Sequence, residues 1–320
     1  GLKGASETKS NALPVSANTR VANRRSLRGS RVCRRAPGAR AGATIEAVTP
    51  VGGGSIHQAS RLQLADGRRL FAKSGPADAL VLFEVEAEAL AALHDHADEA
   101  LLLVPRPLAV SSISGGAVLL MPWMDLEGSD QQKLGRGLAL LHQHSGRVSP
   151  GRFGWDRDGF IGAGPQPGGW RERWGACFVD LRLRPQLALL GDCGCPPDQL
   201  NRLLSELEAR LDDHGAEPAL VHGDLWGGNA GVLSDGRGAI FDPAAWWADR
   251  EVDLAMTSLF GGFSRQFREA YRTVLPPRPG EADRVAIYNL YHLLNHANLF
   301  GGSYVSQARA SLQGLIRWML

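Results

Sequence analysis

The sequence predicts an α+β fold of two lobes: a small β-rich lobe over residues 44–124 and a larger helical lobe over residues 125–320, behind a basic segment of residues 1–43. Three observations carry this. At 320 residues the chain exceeds what one small core serves, so two lobes are the default. Strand-like alternation dominates from Ile45 to Lys73, whereas helical periodicity dominates from Lys133 to the end. Between them the chain is broken at Val104-Pro105-Arg106-Pro107 and again at Pro122, which ends a strand.

Taken in order, Ile45 to Val51 reads as a strand running into Gly52-Gly53-Gly54-Ser55. Arg61 to Ala65 and Arg69 to Lys73 alternate as two strands around Asp66-Gly67, a strong hairpin signal. From Leu80 to His94 the apolar residues Leu80, Phe83, Ala87, Leu90 and Leu93 recur at three- and four-residue steps, which predicts an amphipathic helix. A further strand pair follows, its second member at Ala117 to Met121. Lys133 to His142 turns helical, residues 151–169 read as a glycine-rich loop, and helices are expected near 170–190 and 197–213. Later candidates are Val252 to Leu259, Arg265 to Val274, Ala282 to Asn298 and Val305 to Leu320.

Composition excludes several classes. No apolar stretch approaches the roughly 18 residues that a membrane span needs. The net charge of +2 hides an asymmetry: residues 1–43 hold ten Lys or Arg against one acid, Glu7, leaving about −7 on residues 44–320. A mildly acidic body argues against nucleic acid as a partner. The opening segment, rich in Arg, Ser, Ala and Gly, suits an organelle transit peptide, chloroplast or mitochondrion, or else a disordered basic arm on a cytoplasmic protein. Four cysteines, Cys33, Cys177, Cys193 and Cys195, offer no disulfide framework, and Cys193-Gly194-Cys195 lacks the second ligand pair that zinc requires. His292 and His296 fall at i and i+4, yet no Glu follows the first and no third ligand is near, so no zinc site is expected.

The chemistry concentrates in residues 222–242. His222-Gly223-Asp224-Leu225-Trp226-Gly227-Gly228-Asn229 lies between two apolar runs, and Asp242-Pro243-Ala244 follows the second of them. An Asp, an Asn five residues later and a second Asp at a strand end form the arrangement that phosphoryl transfer needs: one carboxylate to orient a hydroxyl, and oxygen ligands to hold magnesium against a triphosphate. Asp224 is thus the candidate base, with Asn229 and Asp242 as candidate Mg2+ ligands. Gly52, Gly53, Gly54 and Ser55 give a loop whose backbone N–H groups can approach phosphates. Lys73 ends the hairpin where a cation would reach them, partnered by an acid from the next helix, Glu84, Glu86 or Glu88. Strand, glycine loop, hairpin and helix is the order of a kinase small lobe. Pro122, Trp123 and Met124 would be the hinge, with the Pro122 carbonyl and the Met124 N–H available to adenine. Asp253, near a helix start, is placed to accept backbone hydrogen bonds from the loop at His222.

These residues resemble the fructosamine 3-kinase or ketosamine 3-kinase family, itself similar in fold to aminoglycoside phosphotransferases and choline kinases. The resemblance spans residues 45–302 and rests on Gly52-Gly53-Gly54, Phe71-Ala72-Lys73, Phe83-Glu84-Val85-Glu86, Pro165-Gln166-Pro167, Arg182-Leu183-Arg184-Pro185-Gln186-Leu187, the 222–229 and 242–244 motifs, Leu259-Phe260-Gly261-Gly262-Phe263 and Leu294-Asn295-His296. It implies a protein-kinase-like fold and ATP-dependent phosphorylation of the sugar 3-hydroxyl of ketoamines (ribulosamine, erythrulosamine or fructosamine) on lysine, peptide or protein amines. It also implies a deglycation role and, with the basic segment, a chloroplast-targeted ribulosamine kinase of the plant type. By the same resemblance Glu86 pairs with Lys73, while Trp226, Trp246 and Asn295 line the sugar side. Ser55 departs from the Cys that many relatives carry after the glycine triplet. The rival readings are a kinase of choline or an aminoglycoside, and a kinase fold that binds nucleotide without turnover.

Overall fold

The computed structural model describes residues 43–52 and 57–320, so the expected basic segment, Cys33 and the positions Gly53, Gly54 and Ser55 lie outside the described residues. The first layer is an antiparallel sheet built from β1 (Ile45–Val51), β2 (Gln58–Leu64), β3 (Arg69–Gly75), β5 (Ala109–Ile113) and β6 (Gly116–Pro122), in spatial order β1-β2-β3-β6-β5. Helix α1 (Ala79–His96) follows β3, and the short β4 (Leu102–Leu103) precedes β5.

Alternation explains the sheet. Leu62, Leu64, Leu70, Ala72, Val118 and Leu120 point to one face and make a small core, while Leu119 and Met121 point to the other and pack against Phe83, Leu90 and Leu93 of α1. The β2–β3 turn is closed by Asp66, whose carboxylate accepts the Arg68 backbone N–H at 3.1 Å, and Gly67 takes φ 83 there. Lys73 faces Leu119 of β6, which places its side chain over the gap between the lobes.

The second layer is mainly helical. Its elements are α2 (Gln132–Arg147), β7 (Phe153–Trp155), β8 (Gly159–Ile161), β9 (Gly164–Gln166), β10 (Gly169–Arg171), α3 (Trp174–Phe178), α4 (Arg184–Leu190) and α5 (Pro197–Asp213), with a π-helical turn over Val179–Leu183. Then come β11 (Ala219–Val221), β12 (Ala230–Val232), β13 (Gly238–Ile240), β14 (Trp246–Ala248), α6 (Glu251–Leu259), α7 (Arg265–Val274), α8 (Glu281–Phe300) and α9 (Ser303–Met319). Helices α2 and α7 cross closely: a Cβ on Gly135 would stand 2.1 Å from the Phe267 carbonyl oxygen. Strand β4 pairs in parallel with β13, so part of the first sequence region is built into the second layer.

Two expectations are corrected. Residues 151–169, expected as a loop, carry strands β7 to β9 and the first residue of β10, with β8 and β9 forming their own hairpin. Three-residue strands hold too little alternation to show a period, and the glycines that suggest a loop serve close approach instead: a Cβ on Gly154 would lie 1.9 Å from the Gly169 carbonyl oxygen. The helix expected near 170–190 starts only at Trp174, because Gly169–Arg171 pairs with β7. No helix among the described residues is long and apolar enough to cross a membrane.

Candidate active site

Strand β11 delivers the chain into the 222–229 loop, and helix α6 holds that loop from behind. Asp253, fully buried in the first turn of α6, accepts the backbone N–H of His222 at 2.7 Å and of Gly223 at 2.9 Å, and lies 3.1 Å from His142 Nε2. Burial works against its charge, yet these donors hold the carboxyl below its ordinary value. Gly223 takes φ 81, and a Cβ there would meet the Ala244 carbonyl oxygen at 2.1 Å, so this turn admits glycine. His222 joins the two halves of the motif: its ring Nε2 is 2.9 Å from the Phe241 carbonyl, and its own carbonyl accepts the Ala244 N–H. Burial lowers its pKa.

At the floor of the cleft three residues meet. Asn229 Nδ2 donates to the Asp224 carbonyl at 2.9 Å, to Asp224 Oδ2 at 3.2 Å and to the Asp242 carbonyl at 3.4 Å. Desolvation pushes the Asp224 carboxyl up to about 7, with the nearby charge of Asp242 adding to the shift. Asp242 follows β13 with φ 55, a left-handed conformation uncommon outside glycine, which turns its side chain back toward the small lobe. There Lys73 Nζ lies 2.7 Å from Asp242 Oδ1 and 2.7 Å from Glu86 Oε1. Burial would lower the Lys73 ammonium, but the two carboxylates lift it well above its ordinary value, so it stays charged. Of the three acids that the sequence left open, Glu86 faces Lys73, whereas Glu84 and Glu88 are exposed.

These groups line a cleft of about 610 Å3 between the layers, together with Gly52, Pro122, Trp123, Met124 and Trp226. The hinge is braced by a residue that the sequence did not single out. Asp125 accepts from the Trp123 indole at 2.8 Å and from both Arg69 guanidinium nitrogens at 2.9 and 2.6 Å. Only the β3–β6 register brings Arg69 there, and that register is invisible in one strand's sequence. His57, Phe160 and Gly162 also reach the cleft unannounced, beside Phe71.

Two expected sugar-side residues do not. Trp246 is fully buried in β14, within a cluster of Trp174, Phe178 and Tyr288, and the Arg182 guanidinium sits 3.8 Å over its ring. Asn295 is 2% exposed and stands behind the β8–β9 hairpin, where its Oδ1 is 3.5 Å from Gln186 Nε2. Trp246 lies in a central strand and Asn295 on the inward face of α8, so packing claims both. Trp226, by contrast, is 40% exposed at the cleft mouth, its ring folded over Gly228.

The donor set suits a hard divalent cation. With the Asn229 amide nitrogen turned toward Asp224 and the Asp242 carbonyl, its Oδ1 is free to act as a ligand, and the closeness of the Asp224 and Asp242 charges favours a cation between oxygens. The one other His and carboxylate group at ligand spacing among the described residues, His214 with Asp249 and Glu251, is already neutralised by Arg278 and Arg284. His292 is buried and pushed down to about 3 by desolvation, and His296 Nδ1 contacts the His292 carbonyl, so the pair is part of the helix packing.

A family model described as fructosamine kinase matches residues 31–318. A probable ketoamine kinase of Synechocystis sp. is 40% identical over 272 residues, covering 83% of this chain and 89% of the relative. Another from Vibrio parahaemolyticus is 37% identical over 271 residues, covering 83% and 91%. Among solved structures, a candidate fructosamine-3-kinase of Thermobifida fusca superposes with a TM-score of 0.73 at 30% identity, over 86% of this chain and 95% of that one. An aminoglycoside phosphotransferase, APH(4)-Ia, captured with ADP and hygromycin B, superposes with a TM-score of 0.58 at 15% identity, over 86% and 94%, and shows the same protein-kinase-like fold.

Proposed function

The chain belongs to the fructosamine kinase family and is a kinase, and from that premise we propose that it moves the terminal phosphoryl group of ATP to the 3-hydroxyl of ketoamines carried on lysine or protein amines. The observation that carries the proposal is the meeting of Asp224, Asn229 and Asp242 at the floor of one cleft, with Lys73 above them.

In this reading Asp224 takes the proton of the sugar hydroxyl as its oxygen attacks the γ-phosphorus and the bond to the ADP oxygen breaks. A carboxyl lifted to about 7 suits that role, because it is basic enough to accept a proton and still ionised over part of the neutral range. Lys73, kept charged by Glu86, holds the phosphates, and Pro122 and Met124 offer a carbonyl and an N–H to the adenine edge. Asn229 and Asp242 would hold magnesium, which supplies positive charge against the triphosphate oxygens. Trp226 lies where a sugar ring would stack.

Ribulosamine is the proposed preferred adduct, a deglycation role the consequence, and the chloroplast the proposed location; the last rests on the arginine- and serine-rich composition of residues 1–43. Incubating a ribulosylated lysine peptide with ATP and magnesium tests the activity by mass spectrometry. The expected result is a gain of one phosphate on the sugar, and an unaltered peptide mass alongside intact ATP overturns the reading.

A further inference from the structure

Pro165-Gln166-Pro167, where β9 ends, is held at each residue by a buried polar side chain from another element. Gln186 Nε2 of α4 lies 3.5 Å from the Pro165 carbonyl, Arg182 of the π-helical turn donates to the Pro167 carbonyl at 2.8 Å, and the Tyr291 hydroxyl of α8 donates to Gln166 Oε1 at 3.0 Å. Arg182, Gln186 and Tyr291 are each 1% exposed, and Gln166 itself 5%. Polar side chains go this deep only when they find partners, and here the partners converge on three consecutive residues.

The held strap hands one hydrogen bond to the catalytic floor: Gln166 Nε2 donates to the Ala244 carbonyl at 3.0 Å. That carbonyl packs against Gly223, where a Cβ would stand 2.1 Å from it, and the Ala244 N–H donates to the His222 carbonyl at 2.9 Å. Gly223 precedes Asp224, and Ala244 stands two residues after Asp242. The Gln166 amide therefore closes a junction where the segment of the base touches the segment of the metal ligand. Asp242 needs such support, because a non-glycine residue at φ 55 persists only where its surroundings over-determine it. Tyr291 decides which end of the amide faces Ala244. Burial raises its pKa and keeps the phenol protonated, so its O–H takes Gln166 Oε1 and leaves the NH2 group for the carbonyl. A flipped amide would set two oxygens against each other.

We propose that Gln166, oriented by Tyr291, is a positioning residue for phosphoryl transfer: it fixes the spacing between Asp224 and Asp242, and with it the place at which Asp242 would hold magnesium. The proposal rests on the reading of Asp242 as a magnesium ligand and is independent of which sugar is phosphorylated. Neither side chain lines the cleft, so both act through the Ala244 carbonyl and not on substrate or nucleotide.

Calorimetry with the non-hydrolysable ATP analogue AMP-PNP, once in EDTA and once in magnesium, separates positioning from packing. In Gln166→Leu the Kd in EDTA is expected within about twofold of wild type, because Lys73, Pro122 and Met124 are untouched. The Kd in magnesium is expected to weaken by about tenfold, the scale of losing a partner behind a metal ligand. Tyr291→Phe should move the magnesium value in the same direction by about threefold, the size of one lost hydrogen bond. The double variant should be no weaker than Gln166→Leu alone, since both substitutions act through one amide. Equal weakening with and without magnesium, wild-type affinity in both, or losses that multiply in the double variant overturn the proposal. If Gln166→Leu does not fold, Tyr291→Phe decides alone: a loss confined to magnesium supports the strap, and a loss in both conditions or in neither removes it. Asp242→Ala tests the reading beneath. If that variant keeps the wild-type gain from magnesium, the metal role of Asp242 falls and the proposal with it; if it loses the gain while Gln166→Leu keeps it, the proposal falls alone.

Discussion

Lys73 Nζ and Asp242 Oδ1 stand 2.7 Å apart, so one ammonium on the small-lobe sheet is tied directly to the carboxylate that follows β13. The same nitrogen is 2.7 Å from Glu86, and the Lys73 and Glu86 side chains are only 12% and 14% exposed. Lys73→Met is therefore expected to do two things at once. It strands a buried Glu86 without its cation, at about 2–4 kcal/mol of stability. It also removes the phosphate-facing charge, so the KM for magnesium ATP rises at least about tenfold. Thermal melts and ATP titrations check the two effects; wild-type ATP kinetics would remove Lys73 from the nucleotide site.

Asp224→Asn is expected to lower kcat by about 10² to 10⁴ while making the protein more stable at neutral pH. The sign follows from the shift. In the fold this carboxyl titrates near 7 and in the unfolded chain near 3.8, so between those values the fold holds the extra proton. Stability therefore falls as pH rises from about 4 to about 7, and removing the group abolishes that loss. Melting in the presence of a chelator should show the variant a few degrees above wild type at pH 8, with the difference vanishing near pH 4. A variant less stable than wild type at pH 8 would show that the Asn229 hydrogen bond outweighs the desolvation.

Much of this site was legible in sequence because it is local. Asp224 and Asn229 are five residues apart, and Asp242 ends the next apolar run, so their meeting needs only one short hairpin, β12 with β13. Lys73 and Glu86 were legible as a strand-end cation and a helix acid, though the choice among Glu84, Glu86 and Glu88 needed the helix's rotation relative to β3. The misses at the site are long-range. Asp125 braces Arg69 across 56 positions, Asn295 is taken up by Gln186 across 109, and Trp246 is claimed by an aromatic layer drawn from three distant segments. The strands between 153 and 171 were hidden for a different reason, their shortness.

His292 gives a second pH effect of opposite sense. Both of its ring nitrogens are buried without a hydrogen-bond partner among the described residues, and desolvation pushes its pKa to about 3. The unfolded chain protonates near 6.5 while the fold does not, so stability declines as pH falls from about 6.5 toward 3, by roughly 1.4 kcal/mol per unit once the unfolded group is charged. His292→Phe keeps the ring and drops two unsatisfied nitrogens. It should raise the melting temperature at pH 5 by more than at pH 7.5, and equal shifts at both would count against a neutral buried imidazole.

Asp253 offers the sharpest separation of architecture from chemistry, because it touches the catalytic loop and stays out of the cleft. Its two oxygens receive the N–H groups of His222 and Gly223, the residues that lead into Asp224, and Oδ2 also meets His142. In Asp253→Asn one oxygen becomes an NH2 group facing a backbone N–H or the imidazole, and a buried donor loses its acceptor. The expected cost is about 1–3 kcal/mol of stability. Since the loop would then relax around Gly223, a glycine held at φ 81 with no side chain to anchor it, Asp224 should lose its aim and kcat should fall by about 10², the scale of a misplacement near 1 Å. The KM for ATP should stay within about threefold, because Lys73 and Glu86 are held by a different layer. Steady-state kinetics at a temperature well below the variant's melting point distinguish the outcomes: a fall in kcat at nearly constant ATP KM supports a positioning role, whereas unchanged kcat in a destabilised protein would reduce Asp253 to scaffolding.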